Sequence, residues 1–343
     1  MVGSERRQRC LAMRGLATSD VNQVPTMRRS STSRLVVLVG LLCAGCVVTD
    51  ARHQASYERT MERTTRALIA AGDADSLAAA AELGWLKDDP IKRLTLIARA
   101  VAAAPDRPDL VWLNVQRCRD VESCDPKPLE AQLHALDPAN GAAWSSSIDR
   151  SDKNEDTAAV RKDIAAIANS ERFDVYWNVT IVHTANAVIK VGTLDSPSAV
   201  VIAIGVAAAM AIPAYGPIAK ACKGEFLKDP DLLVTCRQVS SVMRHSDTYI
   251  TEMIGVAIAK RVWPEASAEY RDAVEAERLC RYRMATGARL SNSHAWNKKY
   301  AERYLQLLAT HKTEQEVSLA EITNAGLSPS PPRDWTDTPP SRH

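Results

Sequence analysis

Phenylalanine occurs only twice in 343 residues, and aromatic side chains make up 5% of the chain. That is too little bulky β-forming material for a sandwich or barrel, and the alanine-dominated apolar set points instead to closely packed helices. Charge of one sign is not in excess either. Forty-three basic residues against 41 acidic ones leave a net charge of +2 that includes a basic N-terminal segment. The concentrated basic face that nucleic acid requires is missing, so no nucleic-acid partner is expected. The motifs of familiar chemistry are also absent: no G-x-S-x-G, no glycine-rich phosphate loop, no H-E-x-x-H and no kinase set. Beyond residue 46 the cysteines and histidines show no C-x-x-C or H-x-x-x-H spacing, so neither a metal nor a cofactor is expected.

What the chain does have begins at Met27. Arg28, Arg29 and Arg34 lead into the apolar run Leu35–Leu42, followed by Cys43-Ala44-Gly45-Cys46. Read as a helix, Leu35 to Ala44 rises about 15 Å, half of a roughly 30 Å hydrocarbon core, and is too short to span it. The charged start, short apolar core and small residues before a cysteine resemble the lipobox of bacterial lipoproteins, although Cys43 stands where leucine is usual. The resemblance implies that residues 1–45 are a signal peptide and that Cys46 carries the lipid. The unpatterned first 26 residues, with Arg6, Arg7, Arg9 and Arg14, make Met27 a candidate start. It also implies a periplasm-facing protein of the bacterial cell envelope whose membrane partner is reached through that lipid, each buried CH₂ contributing about 0.8 kcal/mol. Val47 after the cysteine favours the outer membrane in that family.

Removal of the leader leaves roughly 300 residues, enough for one large or two ordinary domains. An apolar content of 46% and a charged content of 24% are those of a folded globular protein. Five cysteines remain beyond the lipidated one. Cys118 and Cys124 enclose a short polar loop, and Cys222 and Cys236 enclose one containing Gly, Asp and Pro. In an oxidising compartment both are disulfide candidates, each worth about 2–3 kcal/mol by loop entropy. Cys280, inside a helical pattern, is expected to be a buried thiol.

After a polar tether over 46–60, three segments align: Asp109-Leu110-Val111-Trp112, Gly141-Ala142-Ala143-Trp144 and Asp174-Val175-Tyr176-Trp177, with tryptophans 32 and 33 residues apart. Pro105 and Pro138 close the helical stretches before the first two. A helix-ending proline followed by a helix-starting tryptophan at this period resembles the tetratricopeptide repeat over 61–190. The usual Gly and Tyr of its first helix are absent. Trp112, Trp144, Trp177, Pro105 and Pro138 are therefore read as repeat-defining, with a non-repetitive helical bundle as the competing arrangement. Each helix pair has an apolar face that needs a neighbour either way.

A C-terminal helical region is expected over 191–326. Its centre is the apolar run 197–212, opened by Ser196 as cap and Pro197 in the first turn. Extended to Ala219 the run is long enough to span a membrane, but Pro213, Pro217 and Tyr215 favour a helix surrounded by protein. Helices over 232–262, from Pro264 to about 285, and from Ser293 to about 324 follow, and the tail 327–343, with five prolines, is expected to be disordered. The fold class is all-α.

Polar groups beside these faces are the only catalytic candidates: His245 with Ser246, Asp247 and Glu252, His183 alone, and Ser293-His294. They read more readily as helix caps and solvated side chains than as an acid–base set. The sequence therefore predicts a lipid-anchored helical scaffold that holds another envelope protein. An immunity lipoprotein that inhibits an envelope-degrading toxin is the alternative, with an envelope hydrolase behind both.

Overall fold

A computed structural model describes residues 54–83, 89–210, 213, 215–293 and 296–336. The signal peptide, Cys46, the tether as far as residue 53, residues 211, 212 and 214, and the tail from 337 lie outside the described residues. The chain divides into two compact units, Met1–Met61 and Glu62–His343. Of the first, residues 54–61 are described and all are helical. Helix α1 covers 54–71, so the last part of the expected tether is helix, carried by i,i+4 pairs such as Gln54–Glu58 at 2.9 Å.

The fold is all-α, and no strand forms among the described residues. The remaining helices are α2 (Ala74–Glu82), α3 (Pro90–Ala103), α4 (Pro108–Cys118), α5 (Lys127–Leu136), α6 (Ser145–Lys153), α7 (Thr157–Ala168), α8 (Trp177–Lys190), α9 (Ser196–Ala209), α10 (Tyr215–Ala221), α11 (Pro230–Arg244), α12 (Tyr249–Val262), α13 (Ala268–Ser293), α14 (Lys298–Thr310) and α15 (Glu314–Asn324). A 3₁₀ turn, Gly141–Trp144, precedes α6, and another, Gly224–Lys228, precedes α11. The starts are specified locally. Asp73, Asp89, Asp156 and Asp229 each accept a first-turn backbone N–H, and Pro90, Pro108 and Pro230 supply the fixed φ of a first turn.

From α2 to α7, chain neighbours pack on one another, and α8 then returns to cover α2 before pairing with α9. Helices α11 and α12 pack together, α13 covers α12, and α15 covers α13. Gly255 permits the approach of α12 to α11, since a Cβ there would lie 2.9 Å from the Arg244 backbone nitrogen. A continuous apolar core runs from Leu68 to Val262 and so crosses residue 190 without a break. A second cluster, including Ile181, Val200, Ala203, Leu308 and Val317, seals α8, α9, α14 and α15 together.

Several expected elements are corrected. Asp195, not Ser196, caps α9, its carboxylate accepting the Ser198 N–H at 3.0 Å. Helix α9 is not surrounded by protein. Ala199, Val200, Ala203 and Ala207 are buried against α8 and α14, while Val201, Gly205, Ala208 and Ala209 are exposed. No helix among the described residues is long and apolar enough to cross a membrane. The final helix is two, because Thr313 and Glu316 form a reciprocal capping box that starts α15 afresh, and Asn297 rather than Ser293 caps α14. Residues 327–336 carry no helix and lie along α13, where Ser328 accepts the Tyr282 hydroxyl at 2.9 Å and Trp335 meets the Tyr282 ring edge-on.

Candidate functional site

Between α7 and α8 the connector Arg172–Tyr176 threads past two other loops, making isolated parallel bridges to Asn140 on one side and Ser246 on the other. Asn140 is fully buried and uses every polar atom. Its Oδ1 accepts the N–H groups of Ala142 and Asp174, and its Nδ2 donates to the Asp174 carbonyl at 2.8 Å, to Asp137 and to the Tyr176 hydroxyl. Tyr176 adopts φ 60°, a left-handed conformation costly for a bulky side chain. It is held there from both ends: its N–H donates to Asp174 at 2.7 Å and its hydroxyl donates to Asp137 at 2.7 Å. Burial, and then the Asp137 carboxylate, push its hydroxyl well above the ordinary phenol range.

Helix α8 has no cap of its own. Asp247, from the loop between α11 and α12, accepts the N–H groups of Val175 at 2.9 Å and Trp177 at 2.8 Å. This capping in trans fixes where α8 begins. The Asp247 carboxyl sits well above the usual carboxylate range because of its burial, and then because of the Asp174 carboxylate beside it. The same loop accepts the Glu314 N–H on the Asp247 carbonyl at 2.8 Å, joining the start of α15 to the start of α8.

Those constraints surround a cavity of about 600 Å³. Its walls include Trp112 from α4, Trp177 from α8, Tyr215 from α10, Tyr249 from α12, and Met253 and Met284 from α12 and α13. Ala208, Ile250 and Met284 are exposed, so the cavity is open to solvent on the side they form. Its volume is that of pockets that hold small molecules, about 300–1,000 Å³. Two charged residues reach it and both are engaged. Arg281 donates to Glu277 at 2.9 Å, and Glu314 accepts the Tyr249 N–H at 2.9 Å. Burial raises the Glu314 carboxyl above its ordinary range.

The hydroxyls of Thr180 and Tyr249 differ from each other. Both residues are about 95% buried and both line the cavity, but the Tyr249 hydroxyl is within hydrogen-bonding reach of Ser318 on α15, whereas that of Thr180 has no hydrogen-bond partner among the described residues. Other buried polar atoms lack partners too, among them Asn114 Oδ1, but their residues do not line the cavity. A buried hydroxyl left unpaired costs free energy that a bound polar atom recovers.

Of the sequence-predicted residues, Trp112 and Trp177 meet in this cavity. Trp144 does not: it ends the 3₁₀ turn and stacks on His134 with ring centroids 3.8 Å apart. Pro105 and Pro138 follow the ends of α3 and α5 away from the cavity. Cys118 is joined to Cys124, closing the end of α4, and Cys222 to Cys236, tying the end of α10 to α11. Cys280 is a buried free thiol on α13, pushed up to about 12 by burial, with its Sγ 3.8 Å from the Met284 sulfur.

The two candidate histidines belong to different neighbourhoods. His183 Nδ1 pairs with Asp75 at 2.9 Å, and Arg107 joins the same carboxylate at 3.0 Å. His245, exposed, contacts the Ser241 carbonyl at 2.8 Å, while Glu252 accepts from Gln315 at 3.0 Å. The cluster expected around His245 is thus dispersed, with Asp247 turned inward to cap α8. His294 lies outside the described residues. Among the described residues no group of three His, Cys, Asp or Glu is placed to hold a metal ion.

Thr180, Tyr249, Met253 and Glu314 carry no motif in the sequence and are found only in space. Comparison with protein-family models, with curated proteins and with solved structures finds no match for this chain.

Proposed function

We propose that this protein is a lipid-anchored helical binding scaffold of the bacterial envelope, facing the periplasm and held to the outer membrane by acylated Cys46, and that it works by holding an apolar molecule. The observation that carries the reading is the cavity of about 600 Å³, framed by two tryptophans, two tyrosines and flexible methionine side chains. Rigid aromatic walls supply contact area at low entropic cost, and methionines adapt to the shape that enters. The tethered connector and the Asp247 cap keep the aromatic side of the pocket in place without a ligand, which lowers the ordering cost of binding. The anchor rests on the Cys46 motif, and Val47 favours the outer membrane.

The test is mass spectrometry of the protein purified from its own membranes. Under denaturing conditions the expected chain starts at Cys46 with acyl mass attached, and Cys46→Ala abolishes both cleavage and acylation. Under native conditions a further non-covalent mass is expected, and Ala208→Trp, which projects a large side chain at the opening, removes it. An unprocessed chain overturns the anchor. A native spectrum without the extra mass, together with no uptake of an apolar dye, overturns the binding role.

A second reading, an envelope protein as the molecule held, is favoured by the exposed apolar strip of α9 formed by Val201, Gly205, Ala208 and Ala209. It predicts that Val201→Asp releases a specific co-purifying protein while leaving dye uptake unchanged.

A further inference from the structure

We infer that the occupant of the cavity is an uncharged, mainly hydrocarbon molecule bearing a single hydroxyl or carbonyl oxygen, received by the hydroxyl of Thr180. This rests on the binding role proposed above and adds the chemical class of the ligand. Three observations converge on it.

The first is the apolar surround: indole, phenol, thioether and alanine side chains leave little for a polyol or a sugar to bond. The second is the state of the charges. A carboxylate ligand would need a free cation, but the Arg281 guanidinium is already committed to Glu277. An ammonium ligand would need an anion, but burial holds the Glu314 carboxyl towards its neutral form, and one of its oxygens already accepts the Tyr249 N–H. An ion placed here would have to compete for groups already engaged within the protein, and its desolvation cost favours an uncharged occupant. The third is the unpartnered hydroxyl of Thr180 on α8, in a residue about 95% buried. A hydroxyl can donate or accept, so one oxygen on the ligand, with or without its own proton, satisfies it. A ligand that makes this bond while filling the apolar volume recovers the cost of the unpaired hydroxyl.

The arrangement also explains why Thr180 can report on the ligand without being part of the framework. Its neighbours Trp177 and His183 on α8 are fixed by other contacts, to Asp247 and Asp75. Loss of its hydroxyl therefore removes one bond to the occupant and none to the protein.

The experiment uses the full chain with Cys46→Ser in detergent-free buffer, with the hydrocarbon dye 1,6-diphenyl-1,3,5-hexatriene, which has no hydrogen-bonding atom, as reporter and three competitors of equal chain length: dodecan-1-ol, dodecanoate and dodecyltrimethylammonium. Dodecan-1-ol is expected to displace the dye at least about tenfold more effectively than either ion, the penalty of an unpaired buried charge. Thr180→Val is expected to weaken dodecan-1-ol by roughly three- to tenfold, one hydrogen bond's worth, while dye affinity stays unchanged. Ala208→Trp is expected to weaken dye and alcohol together. Equal competition by the alcohol and an ion, or an unchanged alcohol affinity in Thr180→Val, overturns the inference while Ala208→Trp still upholds the binding role. Dye that does not bind, or that binds equally to Ala208→Trp, overturns the binding role itself.

Discussion

The knot around Asn140 and the wall around Thr180 use the same materials, a buried polar side chain beside buried aromatic rings, to opposite ends. In the knot every polar atom of Asn140 is used, and Tyr176 is bonded through both its backbone and its hydroxyl. In the wall, only a few residues further along the same chain, the Thr180 hydroxyl has no partner among the described residues. The difference separates a structural network from a binding surface. A closed network holds the backbone in a conformation it would otherwise avoid, whereas an open one leaves hydrogen-bonding capacity for something that is not part of the chain. The two are linked, because the knot and the Asp247 cap position the helix from which Thr180 projects.

If closed networks are structural, breaking one costs stability and breaking the open one does not. The most severe case is the buried ion pair of Glu82 with Arg117, which Arg93 also approaches at 3.6 Å. Glu82→Ala removes the two-point partner of the buried Arg117 guanidinium and leaves it only the half-exposed Asp120 at 3.0 Å, at an expected cost of about 3 kcal/mol in denaturant unfolding. Asn140→Ala opens the knot and leaves backbone groups of the connector unpaired. Its expected cost is about 2–3 kcal/mol, and a loss of cavity binding should accompany it because α8 loses its reference point. Thr180→Val should instead leave stability unchanged or raise it by up to about 1 kcal/mol in ligand-free protein, since an unsatisfied hydroxyl is removed and the shape kept. A destabilised Thr180→Val would show that this hydroxyl belongs to the framework and would erase the contrast.

The smallest effect is in the pH dependence. Burial raises the carboxyls of Asp247, Glu252 and Glu314 in the folded chain above their unfolded values. Their contribution to stability is therefore complete below the ordinary carboxylate range and is lost as pH rises through the raised folded values. Glu314→Gln, which can still accept the Tyr249 N–H, is expected to flatten the fall of Tm between about pH 4 and pH 8. An unchanged slope would mean that Glu314 remains as well solvated in the folded chain as in the unfolded one.

The sequence by itself determined the all-α class, because aromatic poverty, alanine content and three- to four-residue apolar spacing are local properties. The prolines of first turns were legible in it as well, but the caps read from it, Ser196 and Ser293, gave way to Asp195 and Asn297, because several neighbouring polar residues can each reach a first-turn N–H. The sequence also indicated both cysteine pairs, for which short loops leave few choices. Where a signal acted over distance it could not be read. The period of Trp112, Trp144 and Trp177 suggested equivalent positions, but two of the three line one cavity and the other stacks on His134. Asp247 looked like part of a catalytic cluster, yet it caps a helix 70 residues earlier in the chain. Which apolar helix faces are covered, which hydroxyls find partners and where a space remains all depend on contacts between residues far apart in sequence. Those contacts follow from packing the whole chain at once, and only the tertiary structure decides them.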